Sequence, residues 1–349
     1  MHIASVGQAF PDHYYDQNEL VAAFLQTWGP QFHNPARIEQ LHKNVLVGGR
    51  HLALPLEHYD SLTSFTDTND TFIRLATDLG ARAVEDGLQR AGLDPQQIDH
   101  LFFVSVTGVA TPSIDAKLVN RMGLRSDVKR TPIFGLGCVA GAAGISRAFD
   151  YLQAYPDQAS VLLSVELCSL TLQKSDLSMA NIISSGLFGD GAAALVMTGA
   201  RRTAMTPEVL ATKSVFYPNS EDVMGWEITS DGFKVVLSAD VPKVVKSHIR
   251  EDVDRFLSDH GLSRRDIGCY VCHPGGPKVL EAFQQALELP QGALQVTWDS
   301  LRRVGNLSSA SILMVLRDTM AHARPQRGTY GLMIAMGPGF CSELVLVRW

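Results

Sequence analysis

The stretch "FGLGCVAGAAG", Phe134 to Gly144, decides how this chain is read. It sets one of five cysteines among glycines and alanines, with no charge nearby. Gly135 and Gly137 bracket a turn that other residues would strain. After Cys138, "VAGAAGISRAFDYLQA" has a helical pattern whose first turns are small, so the helix can be buried centrally and packed closely. Cys138 then stands at a helix N-terminus. The dipole and free N–H groups there favour an anion and pull a thiol below its free value of about 8.5. By itself the elbow leaves two readings open, an activated nucleophile or a small apolar side chain filling core space.

A repeat separates them. "AGLDPQQIDHLFFVSVTG" (91–108) and "HGLSRRDIGCYVCHPGG" (260–276) each follow an amphipathic helix pattern. Each continues with Gly-Leu, a polar turn, an Ile-led apolar strand and a glycine stop. Gly92 and Gly261 lie 169 apart, as do Ile98 and Ile267. Gly137-Cys138 corresponds to Gly305-Asn306 in "VGNLSSASILMVLRDTM" (304–320), again a glycine turn feeding a helix of small residues first. "LFGDGAAALVM" and "AMGPGFCSELVLVRW" close the halves as glycine turns before apolar strands. Three pairs in one order indicate a duplicated chain.

The runs "LFFVSV", "VLLSV", "GAAALVM", "GLMIAM" and "ELVLVRW" suit strands buried on both faces. With helices between them, each half is α/β, and two halves stacked sheet to helix to sheet give a five-layer α/β/α/β/α body. The halves are expected at 1–205, carrying the cysteine, and 206–349, with a linker near 199–214 where apolar periodicity lapses.

The bulk numbers describe an ordinary globular protein: 349 residues, 46% hydrophobic, 19% charged, net charge −6. They offer no basic surface for nucleic acid. No run of eighteen apolar residues exists, so no membrane span is expected. The start, "MHIASVGQAFPDHYYDQ", has no basic region before its short apolar segment and does not read as a signal peptide. Few cysteines and no disulfide framework point to a reduced, cytoplasmic protein. "CYVC" (Cys269, Cys272) lacks a second ligand pair at zinc spacing and reads as packed thiols, with no metal expected.

His273 stands where a strand pattern ends in "HPGG", and His before Pro-Gly-Gly belongs to a strand-end loop. The duplication brings the two elbows and this strand end to the centre. Cys138, His273 and Asn306 then form an acyl-transfer set: a thiolate paired with histidine, and two donors for a developing oxyanion or enolate.

These residues carry a family pattern. "GLGCVAGAAG", "SVELCSLT", "LFGDGAAAL", "HPGGPKVLEA", "GNLSSASIL" and the terminal "GPGF" resemble the type III polyketide synthases, the chalcone synthase-like branch of the thiolase superfamily, over nearly the whole chain. "FGLGCVAGAAG", "MGWEI" and "AMGPGFCSELVLVRW" look most like the bacterial alkylpyrone and alkylresorcinol enzymes. The resemblance implies a thiolase-like fold and a homodimer. It implies acyl-CoA loaded on Cys138, extension by malonyl-CoA after loss of CO2, and ring closure, without metal or resident cofactor. His273 and Asn306 would hold the enolate and the oxyanion. Phe188 and Phe233 match the gatekeepers between CoA tunnel and reaction cavity. Thr107, Thr171, Met224 and Ser308 would line the cavity, and Gly275-Gly276 would let CoA pass close to the backbone. Arg37, Lys43 and Arg50 fall where the family binds CoA phosphates, a place a solvated charged face would fill equally well.

The chain departs from the plant pattern at Ala335-Met336-Gly337-Pro338-Gly339, where plant enzymes read Gly-Phe-Gly-Pro-Gly, and at Thr111, aligned with a methionine that reaches the partner's cavity. Both changes speak against an aromatic starter and suit a slender acyl chain. Together with the resemblance to the alkylpyrone group they imply a medium or long aliphatic acyl-CoA starter and a pyrone or resorcinol-type product. Three rival readings are a ketoacyl synthase III-like enzyme fed by an acyl carrier protein, a cysteine hydrolase and a non-catalytic scaffold. "HPGG" in place of "HQAN" speaks against the first, the duplication against the second, and the intact Cys-His-Asn set against the third.

Overall fold

A computed structural model describes residues 1–29, 34–203, 205 and 207–349. The first half holds strands β1 (His2–Ala9), β2 (His13–Asp16), β3 (Gly49–Leu52), β4 (His100–Val104), β5 (Lys129–Ile133), β6 (Ala159–Leu167) and β7 (Asp190–Thr198). Its helices are α1 (Gln17–Trp28), α2 (Pro35–Asn44), α3 (Phe65–Ala91), α4 (Ile114–Met122), α5 (Ala140–Ala154) and α6 (Met179–Leu187). The second half holds β8 (Glu208–Phe216), β9 (Met224–Thr229), β10 (Gly232–Leu237), β11 (Ile267–Cys272), β12 (Tyr330–Gly337) and β13 (Cys341–Arg348). Helices α7 (Val241–Ser258), α8 (Pro277–Ala286), α9 (Gln295–Val304) and α10 (Ala310–His322) complete it.

The duplication is visible in the strand order. One half runs β4-β6-β7-β1 and the other β11-β12-β13-β8, with β5 added at the outer edge of the first. The pairing sense also matches. β4 is parallel to β6 as β11 is to β12, whereas β7 and β13 are antiparallel to both of their neighbours. Gly92 after α3 and Gly261 after α7 share the left-handed conformation, at φ 65° and 69°.

Two separate sheets were expected, but they join at one edge. His2 of β1 pairs with Glu208 of β8, flanked by Val209 N–H donating to the Met1 carbonyl at 2.7 Å. β8 also corrects the linker. Its strand begins inside the 199–214 segment, and Thr212, Lys213 and Ser214 on a half-buried strand break the apolar pattern without ending the strand. The boundary expected between 205 and 206 falls at Thr206, outside the described residues.

The layers follow from where the apolar faces go. Ile145, Ala148 and Leu152 of α5 share one core with Ile312 to Leu316 of α10, with Leu162 and Leu195 of one half, and with Met333 and Val345 of the other. α3 covers the far face of the first sheet, through Phe72, Leu79 and Val84. α7 and α8 cover the far face of the second, through Val245, Ile249, Leu280 and Phe283. The small residues opening α5 have a steric cause: a Cβ on Gly141 would lie 2.3 Å from the Ser309 carbonyl oxygen. The central helices therefore meet backbone to backbone, and their N-terminal elbows are brought together.

Candidate active site

Cys138 lies in a single 3-10 turn, Gly137–Val139, that opens directly into α5. Gly137 has φ 53°, and a Cβ there would come within 2.6 Å of the Pro338 ring, so only glycine fits. The matching Gly305 has φ 73°. Asn306 is tied by backbone to the segment after α6: its N–H donates to the Leu187 carbonyl at 2.9 Å, and its carbonyl accepts from Gly189 N–H at 3.0 Å. Its Oδ1 accepts from Ser308 N–H at 2.8 Å and from the Ser311 hydroxyl at 3.3 Å. That fixes the amide orientation and leaves the NH2 as donor to Cys138. Ser308, at φ 47°, sets its hydroxyl 3.6 Å from the Cys138 sulfur.

His273 follows β11, and its N–H donates to the Ile334 carbonyl at 2.8 Å. The imidazole is buried and neither ring nitrogen has a partner. An orphaned imidazole beside a cavity is a site waiting for a ligand. No hydrogen bond joins it to Cys138, in contrast to the pairing expected from sequence. The expected depressed thiol pKa is also corrected. Burial pushes the Cys138 thiol up to about 12, with the Ser308 and Asn306 contacts pulling back. Burial pushes His273 down to about 3. Taken singly, both groups are neutral. Proton transfer between them costs less than ionising either alone, because the two charges formed offset each other.

Two cavities meet at Phe188, which lines both. The outer one, about 330 Å³, has His273, Asn306, Gly275, Gly276 and Met224 in its wall. The inner one, about 140 Å³, has Thr171, Cys168, Arg50, His42 and Trp226. The β9–β10 hairpin forms one continuous wall of both. Its paired residues Met224 and Leu237 face the outer cavity, and the next pair on the same face, Trp226 and Val235, the inner one. Cys138 lines neither cavity, and neither does Ser308, which was expected in the wall and instead sits against the sulfur; Asn306 stands between Cys138 and the outer cavity.

Several expected positions differ. Phe233 pairs with Ile228, one step beyond Trp226, and packs against Phe65 with ring centres 5.5 Å apart. It sits past the inner cavity, not at the junction, and Trp226 takes the cavity wall. Thr107 lines neither cavity. Its hydroxyl donates to Glu166 at 3.0 Å and accepts from Leu167 N–H at 2.9 Å, which makes it a structural clip. Arg50 is no surface cation. Its buried guanidinium donates to Gln17 Oε1 and to the Gly186 and Ser185 carbonyls, with the Asp190 charge nearby. Arg37 is exposed on α2, and Lys43 is held by Glu39 at 2.6 Å.

Glu166, inside "SVELCSLT", was not singled out from sequence. It is fully buried on β6 and accepts from Val106 N–H at 3.1 Å and from the Ser105, Thr107 and Ser309 hydroxyls. Burial raises it to about 7 against those donors. The available signal was an acid inside an otherwise apolar strand. It fastens the first turn of α10 to the first half. Glu166→Leu would leave these donors unpaired and is expected to lose about 2–4 kcal/mol, since an unsatisfied buried group costs about 1–3 kcal/mol. Glu166→Gln should keep most of that stability. A Leu variant melting with the native protein would remove this role.

Paired elbows on a duplicated five-layer body, with a buried cysteine, histidine and asparagine at their meeting point, define the thiolase-like class of condensing enzymes. The model of the N-terminal domain of chalcone and stilbene synthases matches residues 1–201, and that of the C-terminal domain matches 208–349. The chain therefore belongs to the chalcone and stilbene synthase family, the type III polyketide synthases. It is 50% identical to a 1,3,6,8-tetrahydroxynaphthalene synthase of Streptomyces peucetius subsp. caesius, covering 99% of this chain and 93% of that one. It is 36% identical to a putative chalcone synthase of Bacillus subtilis, covering 99% and 98%. The crystal structure of 1,3,6,8-tetrahydroxynaphthalene synthase from Streptomyces coelicolor superposes with a TM-score of 0.95, at 30% identity, covering 100% of this chain and 99% of that one. Among the described residues, no helix is long and apolar enough to cross a membrane.

Proposed function

We propose that this polyketide synthase builds a short poly-β-keto chain on Cys138 from malonyl-CoA and closes it to a polyhydroxylated aromatic ring. The Cys138 sulfur attacks the thioester carbon while its proton passes to His273, and CoA leaves as a thiol carrying that proton. A second malonyl-CoA loses CO2. The enolate left behind is held by donors from His273 and Asn306. It attacks the acyl-cysteine: a C–C bond forms, the C–S bond breaks, and the sulfur is free for the next cycle. Ser308 steadies the sulfur between cycles. The exposed edge strand β5 is in keeping with a homodimer, and the five free cysteines with a reducing compartment such as the cytoplasm.

The wall of the inner cavity carries the choice of product. His42, Arg50 and Ser184 line it, and each has a buried polar atom without a partner: His42 Nδ1, Arg50 Nε and Ser184 Oγ. His42 Nε2 faces the Ile182 carbonyl at 2.9 Å, so it carries the proton and Nδ1 is an acceptor, whereas Arg50 Nε is a donor. A keto–enol chain offers both partners. These atoms are closed off from the empty cavity, so the pairing needs the side chains to turn toward the bound chain, which an alkyl chain would give them no reason to do. A tetrahydroxynaphthalene, the product for which the relative from Streptomyces peucetius is named, has ten ring carbons, or five two-carbon units. Such a skeleton needs no larger starter. Malonyl-CoA alone is therefore expected to yield the main product, read by mass. No product without an added acyl-CoA would overturn the proposal.

A second reading keeps a medium or long aliphatic starter and a pyrone or resorcinol-type ring. The remainder of the same wall favours it, through Leu20, Phe24, Leu56 and Leu172. Each buried CH2 would add about 0.8 kcal/mol. In a competition between malonyl-CoA alone and a ladder of acyl-CoAs, this reading expects preference to rise with chain length and then drop sharply. Under either reading, Thr171→Phe fills the inner cavity and is expected to shorten the product by at least one two-carbon unit. An unchanged product mass would show that the cavity does not hold the growing chain.

A further inference from the structure

The outer cavity continues outward into a shallow hollow on the second half. Ala239, Pro242 and Lys278 line both. The other walls of the hollow are Lys243, Lys246 and Ser247, with no acidic side chain among the described lining residues. Lys243 and Lys246 lie three apart on α7, on one face. Lys278 is the second residue of α8. All three are exposed, and among the described residues none has an ion-pair partner within 4.0 Å. Asp222 and Asp240 share a separate hollow with Lys243 and make no ion pair with it. Three uncompensated cations at the mouth of a cavity form a site for a multiply charged anion.

The cations expected from the family pattern are differently placed. Arg50 is buried with both terminal nitrogens engaged, and Lys43 is paired with Glu39. From α2, Leu41 and Asn44 reach the outer cavity. On the other side the wall runs unbroken from His273 through Gly275, Gly276 and Pro277 to Lys278. A CoA thioester with its reacting carbon at His273 would run outward along this wall toward Lys278 and the hollow.

We propose that Lys243, Lys246 and Lys278 bind the phosphates of the CoA thioesters, the role that the family pattern gives to α2 and Arg50. This rests on the reading that CoA thioesters are the substrates. The test compares the native enzyme with the triple variant Lys243→Ala, Lys246→Ala, Lys278→Ala on two substrates: malonyl-CoA, and malonyl-pantetheine, which has no phosphate. The KM for malonyl-CoA is expected to rise about tenfold or more, while that for malonyl-pantetheine changes by less than about twofold. Adenosine 3′,5′-bisphosphate should compete with malonyl-CoA in the native enzyme and lose at least tenfold in inhibition in the variant. Arg37→Ala with Lys43→Ala should move the KM by less than about twofold.

An equal change on both substrates, or a larger effect from the α2 pair, would overturn the assignment. So would loss of turnover with an acyl carrier protein-bound malonyl group while the KM for malonyl-CoA stays native. A native enzyme that used no CoA thioester at all would instead fail the reading on which the assignment rests, so the two failures are distinguishable.

Discussion

Cys138→Ala is expected to abolish the acyl-enzyme and all product. Intact-mass analysis after incubation with malonyl-CoA should show no adduct, and turnover should fall by at least about 10³, the scale on which loss of a nucleophile is felt. No other thiol can stand in. Cys168 faces the inner cavity and is held protonated by burial, and Cys272 is fully buried as the last residue of β11. Replacing Cys168, Cys269, Cys272 or Cys341 by Ser or Ala should leave acyl loading in place. Condensation persisting in Cys138→Ala would sink the covalent mechanism, because the Ser308 hydroxyl, the group beside the sulfur, has no carboxylate or imidazole partner to activate it.

His273→Ala and Asn306→Ala should each cost about 10²–10³ in the release of CO2 from malonyl-CoA, or about 2.7–4 kcal/mol of transition-state stabilisation. The Asn306 variant also loses the acceptor for Ser308 N–H, so a melting curve must accompany it. Asn306→Asp sharpens the test. It keeps an acceptor for Ser308 but replaces the donor with a second acceptor and a charge. Its decarboxylation should be at least as impaired as that of Asn306→Ala. Native decarboxylation in the Asp variant would mean that Asn306 positions the loop and does not touch the enolate.

What was legible in the sequence was local. The elbow glycines announce themselves because a positive φ leaves few alternatives. The repeat shows because Gly92 and Gly261 follow equivalent helices. His273 was legible because Pro-Gly-Gly ends a strand. What stayed hidden depends on distance along the fold. The Cys138 thiol is raised by the desolvation that a five-layer body imposes, and no neighbour in sequence reports that. Period-two alternation places Met224, Trp226 and Ile228 on one hairpin face, but not where along that face the cavity stops. Phe233 was therefore set one pair too near. Arg50 lies on β3, and nothing in "GGRHL" says that its side chain turns inward to three carbonyl oxygens. Lys243 and Lys246 read as the solvated side of an amphipathic outer helix, because the cavity mouth beside them is assembled by α8 and the β9–β10 hairpin.

The backbone pairing between Phe188 and Asn306 bears on how such an enzyme can change its product. The segment carrying Phe188 and the residue proposed to hold the enolate, Asn306, share two main-chain hydrogen bonds, so a shift of one drags the other. Moving the partition to enlarge the inner chamber would misplace the amide by the same amount, and a displacement on the order of 1 Å is enough to cost about 10²-fold in rate. Divergence in chain length is therefore confined to exchanging side chains on a fixed main chain. Thr171, Trp226 and Val235, which carry no link to the amide, are the dials that remain free to turn.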